Sequence, residues 1–519
     1  MKKFKKMLTL ENMLFLYIIL CPILDIVSFL FRNYFDTSFS PTTFLRPIIP
    51  AILFIILFFK EENKKQKIGI ICIYCIYSIV HLWLFQKLHN GSSYGTIENE
   101  IQYLANYSIM IINLYSFNKI IKNKEKLINT VFVSLLIYIV SLVFSIITKT
   151  SSPTYIEGIG YKGYFESGNS LCTVLLLAIS IILSNIKLKD WKKILVIAIT
   201  GIYLLMFSGM RTGLFGFSII IGSFILGKLF INIRDNKKFN KNQIITITSA
   251  IILIVISIFI LGSKTLERRK LLKMIESINI DEETQEKRFV TGDILELYKR
   301  IQKGEVDESY MSQEEQKSII GLVETAEKIK LSNVNLRKQQ LIYNFKLLKE
   351  QKNIAYLLFG NGFKNQTGEL VMEMEVPAFL CNFGLIGFIL YFGPFLGVLI
   401  LGLFNAIKNI KIIQINDIMY TVGMGLAIML SSLSGYVFFN FSSMTMVIVL
   451  AVLIRGERGW KIITILTALE FCLKMLTYRK YAPLFSQNSA LSKFNSFPTG
   501  FVLKERNSSK NEKNNFWNN

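Results

Sequence analysis

Residues 358–395 read LFGNGFKNQTGELVMEMEVPAFLCNFGLIGFILYFGPF, and this stretch decides both the fold class and the expected place of the chemistry. A charged segment passes here through glycines and carboxylates into an apolar run that is long enough to cross a membrane. Gly360 and Gly362 permit backbone conformations that other residues avoid, and they let a ligand approach the backbone closely. Three glutamates precede the apolar run: Glu369, Glu373 and Glu375. The stretch therefore predicts a group of carboxylates at a membrane surface.

The composition of the whole chain is that of an integral membrane protein. Of its 519 residues, 52% are hydrophobic and 13% are aromatic. The mean hydropathy is +0.43, which is well above the mean hydropathy of soluble domains. The formal net charge of +23 could favour nucleic acid as a partner, but membrane proteins also gather Lys and Arg in their cytoplasmic loops. All six cysteines lie in or beside apolar runs, so no disulfide framework is expected.

Apolar runs of spanning length predict an all-α polytopic protein with about twelve transmembrane helices. The runs lie at 13–31, 44–59, 68–85, 101–117, 127–147, 170–184, 194–207, 214–231, 244–261, 378–404, 418–435 and 438–454. Lys and Arg are concentrated in every second connection, which predicts that these connections and both termini are cytoplasmic. Because the positive charge is spread over separate loops, nucleic-acid binding is not expected.

One connection is far longer than the others. Residues 263–377, predicted to lie outside the membrane, carry 19 Lys and Arg against 19 Asp and Glu, and a loop of this length is usually functional or separately folded. Ser312 and Glu315 have the spacing of a helical capping box, and Leu341, Phe345 and Leu348 repeat on one helical face. The segment is therefore expected to form a helical domain over the membrane helices.

The predicted organisation has four parts. Residues 1–262 form a membrane domain of nine helices, residues 263–377 the extracytoplasmic helical loop, and residues 378–455 three further membrane helices. Residues 456–519 form a basic cytoplasmic tail. Its end, after Tyr481, is rich in Ser, Asn and Lys and is expected to be disordered.

No motif predicts a metal ion or a cofactor. Residues 222–228 have the spacing G-x-x-x-x-G-K, but Leu229 stands where a phosphate-binding loop needs Ser or Thr, and the segment lies inside an apolar run. Cys72 and Cys75 form a C-x-x-C pair with no second pair of ligands nearby. The chain has two histidines, and they form no H-E-x-x-H motif.

Two arginines stand at the ends of apolar elements. Arg211, within SGMRTG, lies at the short connection between two predicted spans and has no acidic neighbour in sequence. Arg337 precedes Leu341 by four residues and so ends the apolar stripe of its helix. Both have ordinary interpretations as well: Arg211 could anchor the interface, and Arg337 could snorkel or form a structural ion pair.

The combination of about twelve spans, the large loop after the ninth span and three local motifs resembles the O-antigen ligase and polymerase (Wzy-like) family of bacterial surface-polysaccharide enzymes. In GYFESGNS, Gly163, Phe165 and Asn169 are similar to a glycine, an aromatic residue and an asparagine that open a span in that family. In FSGMRTGLFGF, Arg211 resembles the family arginine that follows a span. The resemblance extends over residues 155–392.

The third motif is the Arg337 helix followed by LLFGNGFKN and then GLIGF, which resembles the arginine, G-x-G and G-x-x-G series of the family. Ligases of this family carry a His-Asn pair ahead of GLIG, whereas this chain has VMEME at residues 371–375 and no histidine in the loop. This departure favours the polymerase branch.

The resemblance implies an architecture of the GT-C glycosyltransferase type and glycosyl transfer on the outer face of the cytoplasmic membrane, without a nucleotide sugar. The donor would be an undecaprenyl-diphosphate-linked oligosaccharide, and a flippase and a chain-length regulator of the same pathway would be partners. Arg211 and Arg337 would bind the diphosphate, and Glu373 or Glu375 would be the catalytic base. Asn169, Gly360, Gly362 and Glu369 would bind substrate or shape the loop.

Two alternatives remain beside the polymerase. A ligase would transfer finished polysaccharide to a lipid or cell-wall acceptor. A lipid-linked oligosaccharide flippase would also be basic and twelve-spanned, but we would expect charges lining its interior spans and no large outside domain.

Overall fold

The computed structural model of the chain describes residues 9–34, 42–60, 64–88, 96–155, 159–187, 190–235, 263–278, 280, 287–308, 310–351, 353–363 and 370–455. Three features predicted from sequence lie outside these residues: the ninth span at 244–261, Glu369, and the tail at 456–519.

Most of the described residues are helical. The first helices are α1 (Leu10–Tyr34), α2 (Thr42–Lys60), α3 (Lys64–Leu88), α4 (Ile97–Ile120), α5 (Lys124–Ile147), α6 (Gly168–Leu183), α7 (Trp191–Ile202) and α8 (Arg211–Arg234). Two short antiparallel strands, β1 (Ser152–Pro153) and β2 (Tyr161–Gly163), precede α6. A π-helical turn at Tyr203–Phe207 continues α7.

The remaining helices belong to the polar segment and to the last apolar part of the chain. The polar segment forms α9 (Ser263–Ile278), α10 (Gly292–Gln302), α11 (Gln313–Lys328), α12 (Leu336–Glu350) and α13 (Ile354–Phe359). The last part forms α14 (Glu375–Gly387), a π-helical turn at Phe388–Phe392, α15 (Gly393–Lys408), α16 (Ile415–Leu433) and α17 (Phe441–Arg455).

Five stretches of the described part are long and apolar enough to cross a membrane: Leu10–Asn33, Ile68–Lys87, Lys124–Ile147, Arg211–Arg234 and Glu375–Lys408. The shorter helices α6 and α17 are also apolar. The predicted class, a helical membrane protein, is confirmed. The number of twelve spans and the four domain boundaries stay predictions.

Helix α6 lies at the centre of the apolar bundle. All its residues from Ser170 to Leu183 are buried, and it contacts α5, α8, α16 and α17. Ser180 Oγ donates to the Met419 carbonyl of α16 at 2.6 Å, and Gly423 of the same helix leaves room for this hydroxyl. Small residues allow helices in apolar surroundings to approach closely, so this contact fixes α6 against α16.

Helix α14 is interrupted, and the loop after α13 fills the interruption. Gly384 has a φ of 68°, which breaks the helical hydrogen-bond series. The N–H groups of Asn361 and Gly362 donate to the carbonyls of Cys381 and Asn382, both at 2.9 Å. A Cβ atom at Gly360 would overlap the Asn382 carbonyl. The glycines therefore allow two backbones to approach closely. This contact provides hydrogen-bond donors for backbone carbonyls inside an apolar helix.

A buried histidine and glutamate hold the same loop from the other side. His81 of α3 and Glu100 of α4 are each 1% exposed, and His81 Nε2 lies 2.7 Å from Glu100 Oε1. His81 Nδ1 lies 2.7 Å from the Phe359 carbonyl, and Glu100 Oε2 accepts from the Phe363 N–H at 2.9 Å. This pair thus fixes both ends of residues 359–363.

The helices of the polar segment have a hydrophobic core of their own, to which α10, α11 and α12 contribute Ile294, Leu322 and Tyr343. The capping box of Ser312 and Glu315 is confirmed at the start of α11. The predicted apolar stripe of α12 is correct at two of its three positions.

Leu341 and Leu348 of that stripe pack against a cluster that includes Met372 and Met374, but Phe345 is 48% exposed and the prediction is wrong there. Because α12 packs against this cluster, its first turn lies beside the segment that carries Glu373. The fold thereby brings Arg337 to that carboxylate.

Candidate functional site

The centre of the candidate site is the contact between Arg337 and Glu373. Arg337 lies in the first turn of α12, and its Nε–H donates to Glu373 Oε2 at 3.1 Å. Its Nη2 donates to the Ser434 carbonyl at 3.1 Å. Both side chains are about one third exposed, at 37% and 34%. The pair is ordered by the fold and remains open to a ligand.

Glu373 is held in place through its backbone as well. Its N–H donates to Gln340 Oε1 at 3.1 Å, and Gln340 lies one turn after Arg337 on α12. Two side chains of one helix therefore position the backbone and the carboxylate of Glu373. This arrangement follows from the spacing of three residues, which places them on neighbouring positions of one helical face.

Three arginines lie within electrostatic reach of Tyr155. The guanidinium Cζ of Arg268, on α9, lies 3.4 Å from the centre of the Tyr155 ring. Burial and the neighbouring guanidinium groups of Arg211 and Arg337 lower the pKa of Arg268. Burial also raises the pKa of Tyr155, and the same three arginines oppose that rise. We call Arg211, Arg268 and Arg337 the arginine cluster.

The connection before α8 places Tyr155 and Arg211 together. Gly160 and Gly209 both have positive φ, at 76° and 65°, and a Cβ atom at Gly160 would overlap the Ser208 carbonyl. Thr154 Oγ1 donates to that carbonyl at 3.1 Å. The segment that carries Tyr155 therefore packs on the turn immediately before Arg211, the first residue of α8.

The arginine cluster favours an anion that carries more than one charge. Like charges repel each other, so neighbouring guanidinium groups need a shared counter-charge to be stable together. Arginine presents several N–H donors in one plane, which suits the oxygens of a phosphate. Glu373 supplies one negative charge at one edge of the cluster, and the cluster as a whole keeps a positive excess.

Asn169, the asparagine of the first motif, lies at the edge of this site. Its Nδ2 donates to the Ser434 carbonyl at 3.4 Å, the same oxygen that Arg337 contacts. Glu166, three residues earlier, accepts from Ser28 Oγ at 3.0 Å and from Arg32 Nη1 at 2.8 Å. Contacts with α1 thus fix the start of α6 and place Asn169 beside Arg337.

Glu375 differs from Glu373 in every contact. It is fully buried, and its Oε1 accepts from the N–H groups of Phe438 and Phe439 at 2.8 and 2.7 Å. Its Oε2 has no hydrogen-bond partner among the described residues. The sequence predicts one group of carboxylates that includes both glutamates, whereas the structure gives them different surroundings. Glu375 holds the chain after α16, whereas Glu373 reaches Arg337.

Gly360 and Gly362 are used by the backbone contact with α14, so the structure favours the loop-shaping alternative for both. Glu369 lies outside the described residues. Sequence reasoning missed Arg268, which stands in the charged run LERRK and shows no local signal that separates it from a solvated arginine. It also missed the His81 and Glu100 pair, whose members are joined by the fold.

A cavity of about 420 Å³ opens beside Glu373. We call it the aromatic pocket and define it by Tyr103, Asn106, Gln340, Phe363, Glu373 and Phe439. The ring of Tyr103 stacks on that of Phe363 with 3.8 Å between the ring centres. Arg211, Arg268 and Arg337 do not line it, so Glu373 stands between the cluster and the pocket.

The described residues contain no group of three or more His, Cys, Asp and Glu side chains that could hold a metal ion. What they offer is a set of guanidinium donors, one open carboxylate and an aromatic pocket. This set can bind an anionic group and accept a proton beside it.

Comparison with known proteins supports the family resemblance that the three sequence motifs indicate. A search of curated proteins finds no match to the chain. The family model described as O-antigen ligase like membrane protein matches residues 8–456, which include every residue of the candidate site described above. This match confirms the resemblance inferred from the motifs. The chain belongs to the family of O-antigen ligase like membrane proteins.

Proposed function

We propose that this protein is a surface-polysaccharide polymerase, which joins undecaprenyl-diphosphate-linked oligosaccharide repeat units on the outer face of the cytoplasmic membrane. The observation that carries the proposal is the double role of Arg337, which belongs to the arginine cluster and also contacts the carboxylate of Glu373. An anion site and a proton acceptor are thereby joined through one side chain.

The reaction needs both groups. A hydroxyl oxygen of the acceptor saccharide forms a bond to the anomeric carbon of the donor, and the bond from that carbon to the diphosphate oxygen breaks. The electron pair of the broken bond leaves with undecaprenyl diphosphate, where the arginine cluster stabilises the developing charge. Glu373 accepts the proton of the attacking hydroxyl. The donor is already activated, so no nucleotide sugar, metal ion or other cofactor is required.

Among the two candidate glutamates we propose Glu373 as the base. Its carboxylate is partly exposed and lines the aromatic pocket. Glu375 is fully buried and is occupied by two backbone N–H groups, so we assign it a structural role.

The membrane setting and the partners belong to the same proposal. The positive charge of alternate connections supports cytoplasmic termini and an extracytoplasmic position for α9–α13. A flippase would deliver the repeat units, and a chain-length regulator would act on the same polymer. The alternative within the family is a ligase that moves finished polysaccharide to another acceptor.

Deletion of the gene, followed by analysis of lipid-linked glycans, tests the proposal. Accumulation of single repeat units on the outer leaflet is the expected result. Accumulation of long lipid-linked chains would identify a ligase instead, and units retained on the inner leaflet would identify a flippase. A glycan profile identical to that of the parent would rule out all three functions.

A further inference from the structure

We propose that the aromatic pocket binds a neutral terminal sugar ring of the acceptor saccharide, next to the hydroxyl that attacks the donor. This inference rests on the proposed glycosyl transfer. It assigns the acceptor to the pocket and a neutral sugar ring as the group that the pocket selects.

The pocket lies next to the proposed catalytic base, Glu373. Glu373 contacts Arg337 on one side and lines the aromatic pocket on the other. A base must lie within hydrogen-bond reach of the hydroxyl that it deprotonates. With the donor diphosphate on the arginine cluster, the space that remains beside this carboxylate is the pocket, and the acceptor hydroxyl belongs there.

The walls of the pocket match the faces of a sugar ring. Tyr103 and Phe363 stack on each other, and Phe439 lies with its ring centre 6.3 Å from that of Phe363. The face of an aromatic ring carries negative charge density and attracts the polarised C–H groups on the apolar face of a pyranose. The volume of about 420 Å³ lies within the range of small-molecule sites.

The polar side chains distinguish a saccharide from a polyprenyl chain. Asn106 is partly exposed, lines the pocket and has no hydrogen-bond partner among the residues that the structure describes. A polyprenyl chain would remove Asn106 and Glu373 from water without offering them a hydrogen bond, which is unfavourable. Sugar hydroxyls donate and accept, so they can pair with both side chains.

The charge of the pocket distinguishes a neutral sugar from a phosphate. Among its described lining residues there is no Lys, Arg or His, and Glu373 contributes a carboxylate. An anionic group would be repelled here and attracted to the arginine cluster. The two sites therefore divide the substrates by charge, with the diphosphate at the cluster and the uncharged ring in the pocket.

The test uses the full chain in lipid nanodiscs and two probes. The first is the free oligosaccharide released by mild acid from the lipid-linked repeat units of the same cells. The second is undecaprenyl diphosphate without sugar. Saturation-transfer NMR measures binding of the oligosaccharide, and native mass spectrometry measures binding of the lipid.

The variants are Asn106→Ala and Phe439→Leu. Their matched controls are Asn99→Ala, on the same helix outside the pocket, and Phe395→Leu, a buried ring that does not line it. Each pocket variant should weaken oligosaccharide binding by about two- to tenfold, the value of one neutral hydrogen bond or one aromatic contact. Lipid binding should stay at the parent level, and the controls should bind both probes normally.

Unchanged oligosaccharide binding in both pocket variants would overturn the inference, even if Arg337→Lys abolished lipid binding and so left the proposed function intact. Weaker binding of undecaprenyl diphosphate by the pocket variants would also overturn it, because the pocket would then hold the lipid. Failure of the proposed function itself has a separate sign, which is an unaltered glycan profile after gene deletion.

Discussion

Arg337 donates a hydrogen bond to Glu373 at 3.1 Å, and this contact joins the first turn of α12 to the segment before α14. The same guanidinium donates a hydrogen bond to the Ser434 carbonyl. Together with burial, its charge lowers the pKa of Arg268. A diphosphate that binds the arginine cluster would therefore compete with Glu373 for Arg337. Donor binding would loosen the hold of Arg337 on the carboxylate at the moment when a base is needed.

Replacement of Arg211, Arg268 or Arg337 by Lys should reduce polymer formation although the charge is kept. Lys cannot offer the planar pair of donors that grips phosphate oxygens. Each substitution should raise the activation free energy of transfer by about 1.5 to 3 kcal/mol, which lowers the transfer rate roughly ten- to a hundredfold. The measurement is transfer in membranes that contain equal amounts of each variant.

A matched control is Arg234→Lys, because Arg234 ends the same helix that Arg211 begins and contacts the Ile413 carbonyl. The double variant of Arg211 and Arg337 should be less impaired than the product of the single losses, since both act on one group. Strictly multiplicative losses, or full activity in all three Lys variants, would mean that these arginines only anchor the fold.

Glu373→Gln should impair turnover, whereas Glu375→Gln should impair stability. Gln cannot accept a proton, so Glu373→Gln should lower turnover by about a hundredfold or more while the thermal unfolding temperature stays near that of the parent. Glu375→Gln should lower the unfolding temperature, because the amide N–H groups of Gln would take the buried place of Oε2, where no described residue accepts a hydrogen bond. Normal turnover in folded Glu373→Gln protein would reject Glu373 as the base.

Gly360→Ala should prevent the loop from docking in the interruption of α14. Gly360 has a φ of 86°, and a Cβ atom there would overlap the Asn382 carbonyl. We expect a fall of several degrees in unfolding temperature and loss of activity. Gly222→Ala is the matched control, since nothing lies within 4 Å of its added Cβ. Equal stability of the two variants would contradict the docking contact.

His81→Ala and Glu100→Ala should each destabilise the protein strongly, by about 3 to 5 kcal/mol, because each breaks the contact between two buried polar side chains. The double variant should be far less destabilised than the sum of the two. A double-mutant cycle on detergent-solubilised protein, followed by thermal unfolding, measures this coupling. Additive effects would show that the two side chains act independently.

The orientation predicted from the loop charges determines which thiols an impermeant reagent should reach. In a background without native cysteines, Lys330→Cys should react in intact cells, because it lies in the exposed turn after α11. Lys238→Cys, in a connection predicted to be cytoplasmic, should react only after the cells are opened. Reaction of both thiols in intact cells would overturn the predicted topology.

The sequence alone indicates the class of the protein and the motifs that lead to its family. Apolar runs and loop charges are local properties, so they could be read without a fold and indicated a helical membrane protein. The three motifs led to the family, and the capping box of Ser312 and Glu315 was visible because it needs only four consecutive residues.

The contacts of the candidate residues, in contrast, follow from the tertiary structure. Glu373 and Glu375 are two residues apart, yet one meets Arg337 across 36 positions and the other meets Phe438 across 63. Arg268 joined the cluster because α9 packs near the turn before α8. Contacts between distant segments depend on how the helices pack, and no local pattern in the chain records that packing.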